Sequence, residues 1–392
     1  MIYQLNQLPS DYTQVIEIIM HLREQLKIHT SDNMNRWWGP LARMAAARAM
    51  VGSNSIEGIN VTLDDAVAIV DGEAPPTAQD ENRAALQGYW NAMTYIVQLS
   101  KDQTYVHNEN TIKGLQYMML HYDLSKNPGR YRPGGIHVTN TATNKIVYEG
   151  PDVALVPGLM AELVDFLNTP NNQPLAKAAM AHLNLTMIHP FSDGNGRMAR
   201  ALQTMVLSRE GILDPRFSSI EEYIGDNSPD YYAVLAEVGQ GSWYPERNPL
   251  PWIKFCLNAH YKQARNLLRR IAEMGRLWNA LDREAKRRKL NDRVLVALAD
   301  AAIGLKVKNP GYRNQAEVTN QVAKYDLKKL ADEGLLVPKG EKKGRYYLAG
   351  ETLQKIRKET RLSEIIPDPF QALEEARIKP RQPELPGLTP GP

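Results

Sequence analysis

Twelve consecutive residues, His189 to Arg200 (HPFSDGNGRMAR), combine a base, a carboxylate, a glycine-flanked amide and two guanidinium groups. Transfer of a phosphate-linked group needs these functions together: a general base for the attacking hydroxyl, a carboxylate for a divalent metal, and N–H donors for phosphate charge. Taken singly, each part has an ordinary structural explanation, such as a Gly-Asn-Gly turn or arginines on a solvated helix face. Because all of these residue types occur together at fixed positions in one segment, a catalytic loop is the favoured interpretation.

The flanks of this segment predict where it lies. Residues 175–188 are apolar at mostly helical spacing, and Pro190 disfavours helical backbone at His189, so one helix should end there. The run after Gly196 is helical again. The glycines therefore precede or open a second helix, where free N–H groups and the helix dipole favour anions. The two arginines of the segment are three residues apart and share one face of that helix.

The segment resembles the signature of the Fic (Fic/Doc) family, His-x-Phe-x-Asp/Glu-Gly-Asn-Gly-Arg-x-x-Arg, at every specified position. The resemblance implies a protein adenylyltransferase, which moves AMP from ATP to a Ser, Thr or Tyr hydroxyl of a protein and releases pyrophosphate. The branch of the family that transfers phosphate instead carries lysine at the position of Gly196, so the glycine favours AMP transfer.

The same resemblance implies a role for each residue of the loop. His189 is the base that deprotonates the target hydroxyl, Phe191 anchors the loop in the core, and Asp193 holds Mg²⁺ on ATP. The implied nucleotide-binding residues are Gly194, Asn195, Gly196, Arg197, Met198, Ala199 and Arg200. Among them, Asn195 and the glycine amides cradle the α-phosphate, while the first arginine binds the β-phosphate and the second the γ-phosphate.

An inhibitory element precedes this loop in the chain. The sequence Ser53-x-x-x-Glu57-Gly58 resembles the inhibitory motif of the family, Ser/Thr-x-x-x-Glu-Gly/Asn. The stretch from about 40 to 58 is Ala-rich and predicted to be helical, with a glycine suited to its C-terminal end. The resemblance implies that Glu57 pairs with Arg200 and blocks the γ-phosphate site. Taken alone, Glu57 would be an ordinary surface residue at a helix end.

Two further features bear on the substrates. Residues 129–150 carry two β-rich runs around a polar turn, which predicts a hairpin. In the family such a flap binds the target protein by strand addition, a mode that recognises backbone more than side chains. Downstream, Tyr231 and Tyr232 resemble an aromatic pair that contacts adenine in relatives, although Gly239 stands where relatives often have Asn. Core packing is the alternative for two adjacent tyrosines.

The composition is that of a soluble enzyme. A chain of 392 residues with 43% hydrophobic residues suffices for two or three domains. The single cysteine, Cys256, excludes an intramolecular disulfide framework, and its apolar surroundings predict burial. The N-terminal sequence lacks the pattern of a signal peptide, and no apolar run is long enough to span a membrane. We therefore expect a cytoplasmic protein without a membrane partner.

The C-terminal part has its own charge pattern. Residues 281–350 hold 16 Lys and Arg against 9 Asp and Glu, a surplus of seven positive charges. A helix–helix–wing pattern over 291–350 resembles a winged helix. Its recognition helix would carry Asn320, Gln321, Lys324 and Lys328, and its wing Lys342, Lys343 and Arg345. DNA is one partner of such a surface; a protein partner or a purely structural role is the alternative.

Together these features predict a mainly α fold: a helical Fic core with a β-hairpin flap, N-terminal helices and a C-terminal winged helix. The expected divisions are an N-terminal helical region over 1–110, the Fic core over 111–265, a linker helix over 266–290, the winged helix over 291–350 and a Pro-rich tail over 363–392. The composition of the tail predicts disorder, and that of the linker a solvated helix.

Three functions remain open on this evidence. The first is AMP transfer to another protein or to the chain itself by autoadenylylation. The second is the reverse reaction, deAMPylation, in which Glu57 orients a water. The third is a transcription regulator whose Fic core senses nucleotide, against which the intact His189 and Asp193 argue. The target protein and the oligomeric state, a homodimer being one arrangement, are not encoded in these motifs.

Overall fold

The computed structural model describes residues 1–30, 38–75, 77, 79–140, 144–209, 215–341 and 344–378. Over these residues the fold is mainly α, as predicted, and each of the two antiparallel strand pairs is a small hairpin. One continuous hydrophobic core runs from the N-terminal segment to the C-terminal helices. None of the helices in this part of the chain is both long and apolar enough to cross a membrane.

The N-terminal region supplies the helix expected to be inhibitory. Its helices are α1 (Ser10–Thr30), α2 (Trp38–Ile56), α3 (Leu63–Val70) and α4 (Asp80–Lys101). Helix α2 covers the predicted stretch, and Gly58 follows it with φ 75°, the left-handed backbone that glycine adopts without strain. Helix α3 begins with a capping box in which Thr62 and Asp65 satisfy each other's backbone N–H groups.

The central region follows with the predicted helix–loop–helix and flap. Its elements are α5 (Glu109–Leu120), β1 (His137–Asn140), β2 (Lys145–Glu149), α6 (Val156–Asn168), α7 (Pro174–Ile188), α8 (Asn195–Ser208), α9 (Pro215–Ser218), α10 (Glu221–Asp226) and α11 (Ser228–Gly239). Helices α7 and α8 pack on each other at the centre and are buried nearly all round. The strands pair antiparallel with a bulge between Val138 and Thr139, which confirms the hairpin.

Helix α12 (Leu250–Arg287) differs from the expected division at 265. We expected the core to end there and a solvated linker helix to begin, but one helix of 38 residues crosses this position without a break. Its apolar residues keep helical spacing from Trp252 to Ala285 and are buried, while its arginines and lysines lie on the other faces. The basic stretch is therefore the outer side of a helix that belongs to the common core.

The C-terminal region folds as a winged helix. It contains a 3₁₀ turn over 292–294, α13 (Leu295–Ala302), α14 (Asn309–Ala316), α15 (Asn320–Asp332), β3 (Leu336–Lys339), β4 (Tyr346–Ala349) and α16 (Glu351–Thr360). The predicted recognition residues lie on α15 and are exposed: Asn320, Gln321, Lys324 and Lys328. Arg345 is exposed at the wing, whereas Lys342 and Lys343 lie outside the described residues.

Part of the tail is ordered, contrary to the prediction. Residues 369–378 form α17 (Pro369–Ile378), although the composition after 363 is Pro-rich. The reason is local: the Phe370 side chain is buried and meets the edge of the Tyr12 ring at a centroid distance of 5.1 Å. Lys254 of α12 lies over the other side of the same ring. An aromatic anchor thus outweighs the proline content, and residues 379–392 lie outside the described part.

Candidate active site

The backbone at His189 ends α7 in a strained conformation. His189 has φ 50°, which is left-handed backbone, and its N–H still donates to the carbonyl of Leu185. Such a conformation costs a non-glycine residue roughly 1–3 kcal/mol and is found where the surrounding structure enforces it. The prediction that Pro190 removes His189 from the helix is confirmed, and the turn directs the imidazole toward the following loop.

The side chain of His189 is set up as a proton acceptor. Its Nδ1 lies 3.1 Å from the Thr186 carbonyl oxygen, which can only accept, so Nδ1 carries the proton and Nε2 has the free lone pair. Burial lowers the pKa of His189 below its ordinary value, although the hydrogen bond to Thr186 and the carboxylates of Glu57 and Asp193 oppose this shift. The imidazole is therefore neutral at neutral pH, as a general base must be.

The loop between the two helices is closed by Asn195. Its Oδ1 accepts from the Phe191 N–H at 2.9 Å and its Nδ2 donates to the Phe191 carbonyl at 2.8 Å. Phe191 is fully buried, so it anchors the loop as expected. The Asn195 side chain therefore closes the loop, and the contact of Asn195 with the α-phosphate stays a prediction. The backbone N–H of this residue, at the start of α8, is open to an anion.

Two glycines make the anion site accessible. Gly194 has φ 77° and a Cβ there would lie 2.8 Å from the Leu120 side chain. A Cβ at Gly196 would overlap the Glu57 carboxylate and lie 3.1 Å from Arg200 Nη1. Glycine at 196 is thus required for Glu57 to approach, and the same space lies open to a phosphate group at the helix N-terminus.

Asp193 is paired with a lysine that the sequence analysis missed. Lys126 Nζ lies 2.7 Å from Asp193 Oδ2, and this hydrogen bond raises the pKa of the lysine. Asp193 Oδ1 accepts from the Gly194 N–H. About a third of each charged side chain is exposed, so the carboxylate remains reachable for a cation from solvent. A single carboxylate of this kind fits Mg²⁺ whose other ligands are substrate phosphates and water.

Arg200 is held at three points by Ser53 of α2 and by Glu57, which follows that helix. Its Nε donates to Ser53 Oγ at 2.9 Å, and its Nη2 donates to the Ser53 carbonyl at 2.8 Å and to Glu57 Oε1 at 2.7 Å. The Arg200 side chain is 1% exposed and that of Glu57 25%. Burial alone would lower the pKa of the guanidinium, but Glu57 and Tyr231 raise it above the ordinary range. The structure therefore brings together the predicted pair of Glu57 and Arg200.

Arg197 presents unpaired N–H groups. It is 2% exposed, and its Nε and Nη1 have no hydrogen-bond partner among the described residues; the same holds for Nη1 of Arg200. Buried donors of this kind are costly unless an acceptor reaches them. An anion at the N-terminus of α8 would supply that acceptor, which fits the expected phosphate contacts of both arginines.

Four more residues are expected to touch the nucleotide; the side chains of Met198 and Ala199 turn away from the site, whereas Tyr231 and Tyr232 lie beside Arg200 and Glu57. Met198 and Ala199 lie in the core, and the Met198 N–H bonds to the Gly194 carbonyl, because the second turn of α8 faces inward. Tyr231 is also core, with its hydroxyl 3.2 Å from His182 Nε2. Tyr232 is half exposed, and its hydroxyl donates to the Ile56 carbonyl at the end of α2.

Comparisons with known proteins agree with this geometry. Residues 106–207 match the sequence model of the Fic/DOC family. The chain contains a Fic domain. Protein adenylyltransferase fic-1 of Caenorhabditis briggsae is 28% identical over 197 residues, which cover 49% of this chain and 36% of that protein. The Caenorhabditis elegans protein of the same name is 27% identical over 197 residues with the same coverage.

A solved structure extends the likeness beyond the Fic domain. The crystal structure of a Fic family protein from Desulfovibrio desulfuricans has a TM-score of 0.58 at 21% identity, and the match covers 89% of this chain and 99% of that one. At this identity the likeness concerns the fold. The chain spans about a third of the length of the relatives named above.

The inward-facing Asn195 of the Fic domain leads to a first prediction. Asn195→Ala should lower the free energy of unfolding by about 2–4 kcal/mol, because the buried N–H and carbonyl of Phe191 both lose their partner. The measurement is urea unfolding followed by tryptophan fluorescence. Asn91→Ala, which truncates an exposed asparagine on α4, is the matched control and should change stability by less than about 0.5 kcal/mol. Wild-type stability of Asn195→Ala would contradict the loop-closing role.

Proposed function

We propose that this protein is an adenylyltransferase that transfers AMP from ATP to a protein hydroxyl and is held inactive by Glu57. The observation that carries the proposal is the contact of Glu57 with Arg200. Arg200 belongs to the same segment, 189–200, as the neutral His189. The relatives named above are called protein adenylyltransferases, which supports the same reaction class. Autoadenylylation belongs to the proposal, as does a target protein that docks on the flap.

The proposed reaction is an in-line displacement at the α-phosphorus of ATP. His189 Nε2 accepts the proton of the target hydroxyl while the hydroxyl oxygen bonds to the α-phosphorus. The bond from the α-phosphorus to the bridging oxygen breaks, and pyrophosphate leaves with the bonding electrons. The N–H groups at the start of α8 and the unpaired N–H groups of Arg197 and Arg200 are placed to receive phosphate oxygens.

Asp193 is the proposed ligand of Mg²⁺. The metal, when bound, neutralises phosphate charge as pyrophosphate departs. Asp193 would hold the metal through its carboxylate, whose Oδ2 is paired with Lys126 in this structure.

The flap is the proposed docking place of the target. Tyr148 of β2 anchors it, because the tyrosine hydroxyl donates to the Met187 carbonyl at 2.8 Å on α7. The neighbouring side chains Ile146 and Val147 are 60% and 42% exposed. An extended segment of the target would add to the hairpin through its backbone, which brings one of its hydroxyls toward His189.

DeAMPylation is the second candidate function. The Glu57 side chain is a quarter exposed, and its charge acts on His189, where it opposes the lowering of the pKa by burial. A carboxylate in that position can orient a water for attack on an AMP ester. In that case α2 carries a catalytic group, and loss of Glu57 removes the hydrolysis of AMP from a modified target.

The second prediction tests the inhibitory pair. Glu57→Gly should raise autoadenylylation by roughly 10–100-fold, because ATP no longer competes with a charge-assisted hydrogen bond worth about 1.5–3 kcal/mol. The measurement is the mass gain of one AMP on the intact protein after incubation with Mg²⁺ and ATP. Glu57→Gly combined with His189→Ala is the negative control and should bind ATP without transferring AMP. Equal rates for Glu57→Gly and wild type would remove Glu57 as the brake.

The third prediction concerns the metal. In the Glu57→Gly background, Asp193→Asn should lower the rate of AMP transfer by roughly 100-fold or more, and EDTA should have the same effect. Asp152→Asn, an exposed carboxylate at another helix start, is the matched control and should keep the parent rate. The measurement is the initial rate against Mg²⁺ concentration. Transfer that persists in EDTA would exclude the assigned role of Asp193.

A further inference from the structure

One buried guanidinium connects the catalytic loop to the flap. Arg132 is 3% exposed, and its Nε donates to the His189 carbonyl at 2.9 Å. Its Nη1 donates to the Gly134 carbonyl and its Nη2 to the Pro151 carbonyl, each at 2.5 Å. Its own N–H donates to the Pro190 carbonyl at 2.8 Å.

The carbonyl groups that accept from the Arg132 side chain lie at the two ends of the flap and at the catalytic loop. Gly134 precedes the flap hairpin and Pro151 follows it, so the two Nη atoms hold both ends of the hairpin together. The third donor, Nε, holds the residue whose imidazole is the base. The planar fork of arginine spans these three oxygens in a fixed geometry, which the single ammonium of lysine cannot do.

We propose that Arg132 is a positioning residue that fixes the target-docking flap relative to His189 and supplies a permanent positive charge beside the base. This proposal rests on the proposed function. Burial lowers the pKa of His189 most; among the charged groups of the described residues that act on it, Glu57 and Asp193 raise this pKa and Arg132 lowers it. Geometry and charge are therefore separable by substitution.

The fourth prediction uses two substitutions in the Glu57→Gly background. Arg132→Lys keeps the positive charge but loses the planar guanidinium that holds the three carbonyl oxygens, so kcat should fall by roughly 10–100-fold. The KM for ATP and the acid limb of the pH–rate profile should stay unchanged. Arg132→Met loses the positive charge as well as the guanidinium geometry, so kcat should also fall in this variant. The acid limb of the pH–rate profile should move to higher pH, because removal of a positive charge raises the pKa of His189. Arg130→Met, an exposed neighbour, is the control.

A second readout does not depend on AMP transfer. The pKa of His189 can be followed by NMR of the ring carbon protons, assigned with His189→Ala. It should rise in Arg132→Met and stay at the parent value in Arg132→Lys. If Glu57→Gly has no transferase activity, the proposed function fails and this titration still tests the charge effect of Arg132. An unchanged pKa in a folded Arg132→Met, or an unchanged kcat in Arg132→Lys, overturns the proposal.

A separate set of contacts joins the winged helix to the inhibitory helix. Arg43 of α2 pairs with Asp71, which follows α3, at 3.2 Å, and with Asp300 of α13. The side chains of Arg43 and Asp300 are 7% and 8% exposed, so the pair lies inside the contact. Two outer pairs extend it: Lys306 with Asp64 at 2.8 Å and Lys308 with Glu73 at 3.7 Å.

The opposite end of α2 is held by a close helix contact. A Cβ at Gly225 of α10 would lie 2.6 Å from Gly52 Cα, so the backbones of α2 and α10 are in direct contact, and Arg48 of α2 pairs with Glu222 of α10 at 3.1 Å. Glu57 lies fourteen positions after Arg43, about 21 Å along a helix with a rise of 1.5 Å per residue. The helix that ends beside Glu57 is thus fixed by the Fic core at one end and by the winged helix at the other.

We infer that the winged-helix domain holds the inhibitory helix in its blocking position, so that loosening this contact releases Glu57 from Arg200. The inference rests on the proposed function for its activity readout and on the ion pairs above for its structure. A buried charge pair suits this task, because loss of one partner leaves the other charge buried and unpaired. The exposed face of α15 remains available to whatever binds the winged helix.

The fifth prediction measures the position of α2 directly. Asp300→Asn should raise the amide hydrogen-exchange rates of residues 40–58 by roughly tenfold or more, because Arg43 is left with a weaker set of partners. Autoadenylylation should rise in parallel toward the level of Glu57→Gly, and the double variant should be no faster than Glu57→Gly alone. Asp282→Asn, which removes a surface pair with Lys286 on α12, is the matched control.

The exchange measurement separates this inference from the reaction. If Glu57→Gly transfers no AMP, the proposed function fails, while faster exchange in Asp300→Asn still supports the mechanical link. If Asp300→Asn does not fold, Lys306→Met tests the outer pair with Asp64 in the same way. Unchanged exchange over 40–58 in a folded variant overturns the inference, as does an increase that the Asp282→Asn control matches.

Discussion

The buried guanidinium of Arg200 determines how the rest of the site is arranged. A side chain that is 1% exposed cannot leave its charge unpaired, since removing one partner of a buried pair costs about 3–5 kcal/mol. Ser53 supplies two permanent acceptors and Glu57 the charged partner of Nη2, while Nη1 has no partner among the described residues. In the proposed mechanism a phosphate oxygen takes the place of the Glu57 carboxylate. Inhibition and substrate binding then exclude each other because one cation can satisfy only one of the two anions there.

A neutral hydrogen-bonded chain supports Arg200 from the core side. Tyr231 lies beside Arg200, and its hydroxyl contacts His182 Nε2; His182 Nδ1 contacts Gln203 Oε1, and Gln203 Nε2 contacts His260. The amide oxygen accepts from His182, so His182 Nε2 must accept from the tyrosine hydroxyl. Burial lowers the pKa of His182 to about 3, which keeps it neutral. The chain therefore orients the tyrosine oxygen toward the guanidinium without adding charge that would compete with Glu57.

The sequence could predict those parts of the site whose residues lie close together along the chain. The segment 189–200 and the motif of Ser53 and Glu57 are each short and continuous in the chain, so their resemblance to the family motifs predicts them. Lys126 and Arg132 were missed because their partners lie 67 and 57 positions further along the chain. The one usable signal was the position of Arg132 just before the predicted hairpin. Side-chain direction was also beyond the sequence, since Asn195 and Tyr231 turn inward for reasons of packing.

The same distinction explains the errors in domain organisation. In α12 the basic residues suggested a solvated linker, but the apolar spacing continued past 265, and the buried face decides where a helix belongs. In the tail the prolines suggested disorder, whereas Phe370 finds a site against Tyr12 that no local pattern announces. The overall amino-acid composition of a segment mainly reflects its solvent-exposed residues. The position of the segment in the fold is determined by the few side chains that it buries.

In the proposed function, Gly196 explains why control has to come from helix α2 rather than from the loop. A side chain at this position would exclude the Glu57 carboxylate, but it would occupy the space through which a phosphate reaches the N–H groups of α8. A larger residue at position 196 would therefore exclude Glu57 but would also damage the proposed nucleotide site. Movement of α2 has no such cost, because it withdraws Glu57 and leaves the loop intact. The contacts of Gly52 with α10 and of Arg43 with Asp300 are consequently the places where inhibition can be adjusted independently of the chemistry.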